Sequence, residues 1–166
     1  MMKLPVLVLT AALLVSGGAA SAVVKNGGSG PDRLQGTNAK DTLRGRGGDD
    51  RLEGFGGDDL LIGGGGDDTI KGGPGLDDLG GGAGDDFVVG AFDDNDDRLY
   101  GGPGEDIVSG YRNDQLNGGS GDDRMVIIDP EPGAFVLCGG GDDTVISEGN
   151  PPAGTIADDC EHVQVS

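Results

Sequence analysis

Residues Gly45 to Val89 read GRGGDDRLE GFGGDDLLI GGGGDDTIK GGPGLDDLG GGAGDDFVV, which makes five consecutive blocks of nine residues. Every block has glycine in its first and fourth places, aspartate in its sixth place and an aliphatic residue in its eighth place. The eighth-place residues are Leu52, Leu61, Ile70, Leu79 and Val88. A period that is kept over 45 residues indicates that one structural unit is stacked many times.

The two halves of a block predict a turn followed by a short strand. Glycine reaches positive φ at low cost and lets backbones approach closely, so the glycine-rich first half favours a turn. The last three residues place one aliphatic side chain between two neighbours, which is typical of a short strand with its middle residue pointing inward. We therefore predict an all-β stack in which each strand pairs with the strand 18 residues away.

The sixth-place aspartates are predicted to form a column along each edge of the stack. Neighbouring carboxylates in a column would lie about 5 Å apart, where their repulsion at an effective dielectric of about 20 is about 3 kcal/mol per pair. The few basic residues of this stretch, Arg46, Arg51 and Lys71, do not recur in register and so cannot relieve the repulsion. A hard divalent cation would relieve it, with carboxylates and glycine carbonyls as its oxygen ligands.

The pattern divides the chain into four parts. Residues 1–22 are predicted to be a signal peptide, and residues 23–29 a short polar leader without pattern. The repeats occupy residues 30–146, with an irregular insertion at about 127–134 that contains two prolines. Residues 147–166 are predicted to be a capping tail with one closing strand.

The first 22 residues have the features of an export signal. Met-Met-Lys leads into the apolar run Leu4–Val15, and Ala20-Ser21-Ala22 forms an A-x-A cleavage site. The run is shorter than the roughly 20 residues of a transmembrane helix. We predict cleavage after Ala22 and a secreted, extracellular protein. The only cysteines are Cys138 and Cys160, and an even pair in an exported protein favours a disulfide that closes a loop of about 20 residues.

Twelve sixth-place aspartates are candidate metal ligands. The blocks that match the pattern most fully contain Asp50, Asp59, Asp68, Asp77, Asp86, Asp106, Asp123 and Asp143. Less complete blocks contain Asp32, Asp41, Asp97 and Asp114. Alternate blocks share an edge, which predicts a long column of Asp32, Asp50, Asp68, Asp86, Asp106, Asp123 and Asp143. The short column on the other edge is Asp41, Asp59, Asp77, Asp97 and Asp114. The spacing is 18 as far as Asp86 and becomes 20 or 17 beyond it, so we expect the most regular sites before Gly90.

The blocks resemble the G-G-x-G-x-D-x-U-x nonapeptide repeats of the RTX, or haemolysin-type calcium-binding, family. The resemblance implies a right-handed parallel β-roll that holds several calcium ions between successive turns. It also implies that backbone carbonyls of turn glycines complete each shell, and the first-place glycines concerned are Gly45, Gly54, Gly63, Gly72, Gly81, Gly101 and Gly118. The fifth-place acids fall on the variable place of the motif, and we interpret them as outward charge.

Composition and missing motifs exclude several other functions. The net charge of −19 disfavours nucleic acid and anionic membranes as partners. Acidic residues crowd every glycine loop, which argues against phosphate or another small-molecule substrate. No G-x-S-x-G or H-E-x-x-H motif occurs, and the single histidine, His162, is interpreted as a surface residue. We therefore predict no enzymatic activity.

The leading hypothesis is a secreted calcium-binding protein that folds when it binds the metal. One alternative is a calcium-dependent module for cell-surface adhesion or self-association. Its candidate surface consists of apolar residues predicted to point outward: Leu60, Ile62, Phe87, Val89 and Ile107. Another alternative is a non-catalytic remnant of an RTX exoprotein, since enzymes and toxins of that family carry their activities in other domains.

Overall fold

The structure is a computed structural model that describes residues 20–166, so the predicted signal peptide lies almost entirely outside it. The described chain contains fifteen β-strands and no helix. Consequently, no helix in this part of the chain has the length and apolar character needed to span a membrane. The predicted all-β class is confirmed: the strands form a parallel β-roll of about eight coils.

Except for the last two, successive strands alternate between two parallel sheets, because each turn carries the chain from one sheet to the other. The first sheet contains β1 (Val24–Asn26), β3 (Thr42–Arg44), β5 (Leu60–Gly65), β7 (Asp78–Ala83), β9 (Arg98–Pro103), β11 (Gln115–Ser120) and β13 (Phe135–Gly140). The second sheet contains β2 (Arg33–Gln35), β4 (Arg51–Glu53), β6 (Thr69–Lys71), β8 (Phe87–Val89), β10 (Ile107–Tyr111), β12 (Arg124–Ile128), β14 (Thr144–Glu148) and β15 (His162–Val165).

The register of the sheets follows the spacing of the blocks. Leu43 pairs with Leu61, 18 residues away, as the period predicts. The longer and shorter blocks change the step without breaking the ladder: Val88 pairs with Val108, and Val108 with Met125. Each change of block length is absorbed in a turn, so the inward side chains stay aligned.

The core consists of the eighth-place residues stacked between the two sheets. In the first sheet the inward row is Leu43, Leu61, Leu79, Leu99, Leu116 and Val136. In the second sheet it is Leu34, Leu52, Ile70, Val88, Val108, Met125 and Val145. Apart from Leu34 at the end of its row, these side chains are at most 1% exposed. The core is therefore a ladder one side chain deep on each sheet, and every coil packs only on its neighbours.

The leader differs from its description as a segment without pattern, because it contains strand β1, paired with β3. Lys25 occupies the inward position opposite Leu43, and its Nζ donates a hydrogen bond to the carbonyl of Gln35. The strand lacks a preceding glycine turn and an inward aliphatic residue, which are the two signals used to recognise the other strands. A charged residue at this position gives the stack a polar end, as expected of a terminal coil.

The opposite end is covered by the tail. Strand β15 pairs with β14, as predicted for a closing strand, although its Val163 remains 45% exposed. Ile156 forms a parallel bridge with Val136 and so continues the first sheet. The predicted disulfide is confirmed: Cys138 at the end of β13 is bonded to Cys160 in the tail, with 5.2 Å between their Cα atoms. This bond ties the covering segment to the last glycine turn.

We expect Leu61→Ala to lower the free energy of unfolding by about 2–5 kcal/mol, because it removes a fully buried rung between Leu43 and Leu79. The adjacent Leu60 points outward from the same strand and provides the control. Leu60→Ala should change the unfolding free energy by less than about 1 kcal/mol. Urea unfolding with calcium in excess measures both values. Equal losses in the two variants would contradict the assignment of inward and outward faces.

Candidate metal-binding columns

The glycine turns bring successive coils into direct backbone contact. In the turn before Asp68, the second-place Gly64 and the fourth-place Gly66 have φ values of 126° and 110°. A Cβ atom added to Gly64 would lie 2.3 Å from the carbonyl oxygen of Arg46 in the preceding coil. Glycine is therefore needed both for its positive φ and for the close approach of the two backbones.

One oxygen of each sixth-place carboxylate joins its coil to the coil before. Asp50 donates its backbone N–H to Oδ1 of Asp68, and Asp68 donates its own to Oδ1 of Asp86, both at 2.7 Å. The same bond recurs along both predicted columns at 2.7–2.9 Å. Apart from Asp32 at the start of the long column, the carboxylate residues are at most 3% exposed. The columns predicted from the block spacing thus exist, and their aspartates are buried.

The second oxygen divides the aspartates into two groups. In eight of them, Oδ2 is buried and has no hydrogen-bond partner within residues 20–166; we call these atoms the open oxygens. They belong to Asp50, Asp59, Asp68, Asp77, Asp86, Asp106, Asp123 and Asp143. These are the same eight aspartates that lie in the most complete blocks.

In the other four aspartates, Oδ2 accepts a backbone N–H from its own turn. Gly28 donates to Asp32 at 2.6 Å, and Tyr111 donates to Asp114 at 2.7 Å. The remaining two bonds run from Thr37 to Asp41 and from Ala91 to Asp97. The turns before Asp41, Asp97 and Asp114 lack the glycine pattern of the complete blocks, whereas residues 27–32 read GGSGPD and have it. In all four turns the backbone folds back onto the carboxylate.

A first-place glycine leaves space beside each of seven open oxygens. A Cβ atom on Gly63 would lie 2.1 Å from Oδ2 of Asp68 and 2.6 Å from the carbonyl oxygen of Gly81, one coil further on. The corresponding distances at Gly101 are 2.4 Å to Asp106 and 2.5 Å to the carbonyl of Gly118. A carboxylate oxygen and a carbonyl oxygen therefore line the same small space, which any side chain would fill. Hard cations prefer such oxygen donors.

The eighth open oxygen has a different neighbour. Cys138 stands in the first place of the block that contains Asp143, where the other seven blocks have glycine. Glu161 follows Asp143 by 18 residues and accepts its backbone N–H at 3.1 Å, as a further aspartate of the long column would. Glu161 was not predicted as a column residue, although an acid 18 residues after Asp143 was a usable signal.

Burial without a partner makes the ionised carboxylates unfavourable. Desolvation raises the pKa of Asp77 to about 8 and that of Asp86 to about 7, against an ordinary value of 3.8. The pKa values of Asp59, Asp68 and Asp123 are raised to about 6 for the same reason. The hydrogen bond that Oδ1 accepts from a backbone N–H lowers each pKa, whereas neighbouring carboxylates of the column raise it further. At neutral pH the columns therefore favour any bound positive charge, whether proton or metal ion.

The fifth-place acids, predicted only to be outward charge, form a second set of contacts between coils. Asp85 donates its backbone N–H to Oδ1 of Asp67 at 3.0 Å, and Asp67 donates to Oδ1 of Asp49 at 3.1 Å. Here the carboxylate reaches forward to the next coil, whereas the sixth-place carboxylate reaches back. The two acids of a G-D-D unit thus bind the two neighbouring coils: the fifth-place acid bonds to the coil after it, and the sixth-place acid bonds to the coil before it. The recurrence of an acid in the fifth place of the blocks was the sequence signal that could have predicted these contacts.

The remaining predicted features do not form a second site. Leu60 and Ile62 lie on the outer face of the first sheet, whereas Phe87, Val89 and Ile107 lie on the second, so the five apolar residues make no single surface. His162 is exposed, and its Nε2 lies 2.8 Å from Asp142.

Within the described residues, one group of three metal-ligating side chains has its ligand atoms within 4.8 Å of one another, and it is Cys138, Asp159 and Cys160. The disulfide occupies both of its sulfur atoms. Side chains alone therefore do not converge on a metal in the columns, and a cation there needs backbone carbonyls as additional ligands.

We expect Asp67→Ala to lower the free energy of unfolding by about 0.5–1.5 kcal/mol, because the N–H of Asp85 loses its acceptor. Asp67→Asn keeps an oxygen acceptor and should stay close to the original protein. Asp78→Ala removes an exposed carboxylate from strand β7 and serves as the charge control. Urea unfolding of the three variants measures the effect. If Asn and Ala destabilise equally, the charge rather than the hydrogen bond is what matters.

Comparison with known families agrees with this geometry. The RTX calcium-binding nonapeptide repeat matches four stretches, residues 26–54, 53–88, 93–112 and 107–126, which together cover more than half of the chain. The gap between the second and third stretches falls in the enlarged turn after Gly90, and the last stretch ends just before the irregular segment. A comparison with curated proteins finds no match.

Repeats of this kind form a β-roll that is generally a structural calcium-binding domain rather than a catalytic one, and proteins that carry them are typically secreted. The resemblance noted from the blocks is thereby confirmed. This chain belongs to the RTX calcium-binding nonapeptide repeat family.

Proposed function

We propose that this protein binds several calcium ions in its aspartate columns, at the open oxygens, and that binding drives the roll to fold. The observation that carries the proposal is the set of eight buried carboxylate oxygens without a hydrogen-bond partner in residues 20–166. Buried polar atoms are nearly always satisfied, so a recurring orphan atom calls for a ligand that the chain itself does not supply.

Calcium fits these positions for three reasons. It takes six to eight oxygen ligands at about 2.3–2.6 Å and tolerates irregular geometry. The columns offer carboxylate and carbonyl oxygens beside a space that the first-place glycine leaves free. A divalent ion also cancels the repulsion between carboxylates of successive coils, which a neutral ligand cannot do.

The proposed ligands are a subset of the twelve predicted aspartates. Six open oxygens lie in the long column and two, on Asp59 and Asp77, in the short column. Four carbonyl oxygens of predicted glycines line the same space as an open oxygen of the preceding coil. They belong to Gly63, Gly72, Gly81 and Gly118. We propose that Asp32, Asp41, Asp97 and Asp114 end or interrupt the columns instead of binding metal, because Oδ2 of each already accepts a backbone N–H from its own turn.

Binding and folding are coupled in this proposal. The net charge of −19 and the narrow core disfavour a folded chain in the absence of cations. Each ion joins two coils, and each coil packs only on its neighbours, so calcium binding should be cooperative along the stack. The protein acts by this structural transition and not by catalysis. We propose that it does so outside the cell, after removal of residues 1–22, where calcium is plentiful.

Calorimetric calcium titration tests the sites with two matched variants. Asp68→Asn removes an open oxygen but keeps an acceptor for the N–H of Asp50, and it should bind at least one ion fewer than the original protein. Asp41→Asn removes the same charge from a carboxylate whose Oδ2 is already satisfied, and its stoichiometry should not change. Circular dichroism with calcium and then chelator follows folding in parallel.

Each result bears on a different part of the proposal. If the original protein binds no calcium, the proposed function is wrong. If both variants lose an ion, the open oxygens do not distinguish the sites. A chelated protein with an unchanged β-sheet spectrum would contradict the coupling of binding to folding.

The raised pKa values predict that protons partly replace calcium. In the folded chain the pKa values of five carboxylates with an open oxygen lie between about 6 and about 8, above the ordinary 3.8, so the metal-free folded state holds more protons than the unfolded state. These carboxylates belong to Asp59, Asp68, Asp77, Asp86 and Asp123. Its stability is therefore largest in acid and is lost as the pH rises through this range. Circular dichroism of the metal-free protein should show more β-structure at pH 5 than at pH 8. The calcium affinity, in contrast, should be higher at pH 8 than at pH 5. Greater metal-free structure at pH 8 would contradict the prediction.

A further inference from the structure

The short column changes character beyond Asp77. Three successive turns on this edge, residues 90–97, 110–114 and 129–134, lack the regular block, and we call them the irregular edge. Oδ2 of Asp97 and of Asp114 accepts an N–H from its own turn. In the third turn Ala134 stands where the next aspartate would be, and the N–H of Asp114 donates instead to the carbonyl of Tyr111 at 3.1 Å.

At Gly110, hydrocarbon occupies part of the space that oxygens line in the regular turns. Ile127 pairs in register with the first-place Gly110, and its side chain is fully buried. A Cβ atom on Gly110 would lie 2.6 Å from Cδ1 of Leu116 and 2.9 Å from Oδ2 of Asp114, whereas at Gly63 the nearest atom is a carboxylate oxygen. At Gly90, the other first-place glycine of this edge, a Cβ atom would lie 2.6 Å from Oδ2 of Asp97 and 3.3 Å from Oδ2 of Asp114. Both oxygens already accept a backbone N–H from their own turns, so the irregular edge contains none of the open oxygens.

Arg112 supplies positive charge at the same edge. It lies in the middle turn, and its Nη1 is 2.9 Å from Oδ1 of Asp94 in the turn before. The same nitrogen is 3.2 Å from Oε1 of Glu131 in the turn after, and Nε lies 3.7 Å from Asp129. One guanidinium group thus contacts acids from the coils on both sides, which is how a metal ion would join the regular turns.

The backbone and an aromatic pair hold Arg112 in place. Arg112 has a φ of 47°, donates its N–H to Ile128 at 2.9 Å and accepts an N–H from Glu131 at 3.2 Å. Its guanidinium carbon lies 5.3 Å from the centroid of the Tyr111 ring, and Phe92 packs edge-on against that ring at 5.9 Å. Exposed ion pairs are individually weak. The pairs of Arg112, however, form a network around one planar guanidinium group, which also makes a cation–π contact with Tyr111.

We propose that Arg112 is a built-in cation that ties the three coils of the irregular edge together in place of calcium, so that this section stays ordered when the metal is removed. The inference rests on the proposed function for its contrast with the regular turns. A guanidinium group stays charged at all accessible pH values, so this link is permanent, whereas the regular columns depend on the calcium concentration.

Hydrogen exchange in the presence of chelator tests the inference. In the original protein, amides of the irregular edge should exchange more slowly than those of the regular stretch 45–89. Arg112→Gln should speed exchange in the irregular edge by about tenfold, the factor expected for the loss of one charge-assisted contact. Arg112→Lys should restore part of the protection, because it keeps the charge but not the fork. Arg124→Gln is the control, since Arg124 is exposed on strand β12 and forms no ion pair within the described residues.

Samples with calcium show whether Arg112→Gln still folds and still binds calcium. A failure of the inference can then be told apart from a misfolded variant and from a failure of the proposed function. Arg112→Gln with calcium should keep the protection of residues 45–89 and the original calcium stoichiometry, which shows that the variant folds. Equal exchange of the two sections in chelator, or no effect of Arg112→Gln there, would overturn the inference. So would loss of an ion in Asp114→Asn, because the irregular edge would then hold metal. Absence of calcium binding in the original protein would overturn only the proposed function.

Discussion

The buried sixth-place carboxylate is the interaction on which the rest of this structure depends. One of its oxygens accepts an amide N–H from the preceding coil, as Asp68 does from Asp50, and so joins coils at the turns, outside the aliphatic core. The other oxygen is left buried in the complete blocks. The contact that stacks the coils therefore also creates a column of desolvated negative charge, and the fold must compensate it.

The chain compensates this charge in three ways. Where the turn is glycine-rich, the space beside the carboxylate is open to a cation. Where the turn is irregular, a backbone N–H of the same turn satisfies the second oxygen, as Tyr111 does for Asp114. Where aspartate is replaced by Ala134, hydrocarbon fills the space and Arg112 supplies the charge. The roll thus combines a regular section that carries the open oxygens with ends and an edge that contacts of the chain itself hold together, including the disulfide at Cys138.

Much of the fold was predictable because the repeat is short and strict. The eighth-place aliphatic residues gave both inward rows, and the block lengths gave every change of register, since a turn absorbs each extra or missing residue. The leader strand β1 was missed because it carries Lys25 where the pattern has an aliphatic residue. The forward contacts of Asp49 and Asp67 were missed because a variable place in a motif gives no direction for its side chain.

The sequence by itself determined the parallel stack, the two aspartate columns and membership of a calcium-binding repeat family, because each of these follows from local chemistry repeated at a constant period. Only the tertiary structure decided which carboxylates keep an open oxygen. That property depends on whether a backbone N–H of the same turn reaches Oδ2, and on what the neighbouring coil places beside it. The role of Arg112 also required the structure, since its acidic partners Asp94 and Glu131 come together only when three coils are stacked.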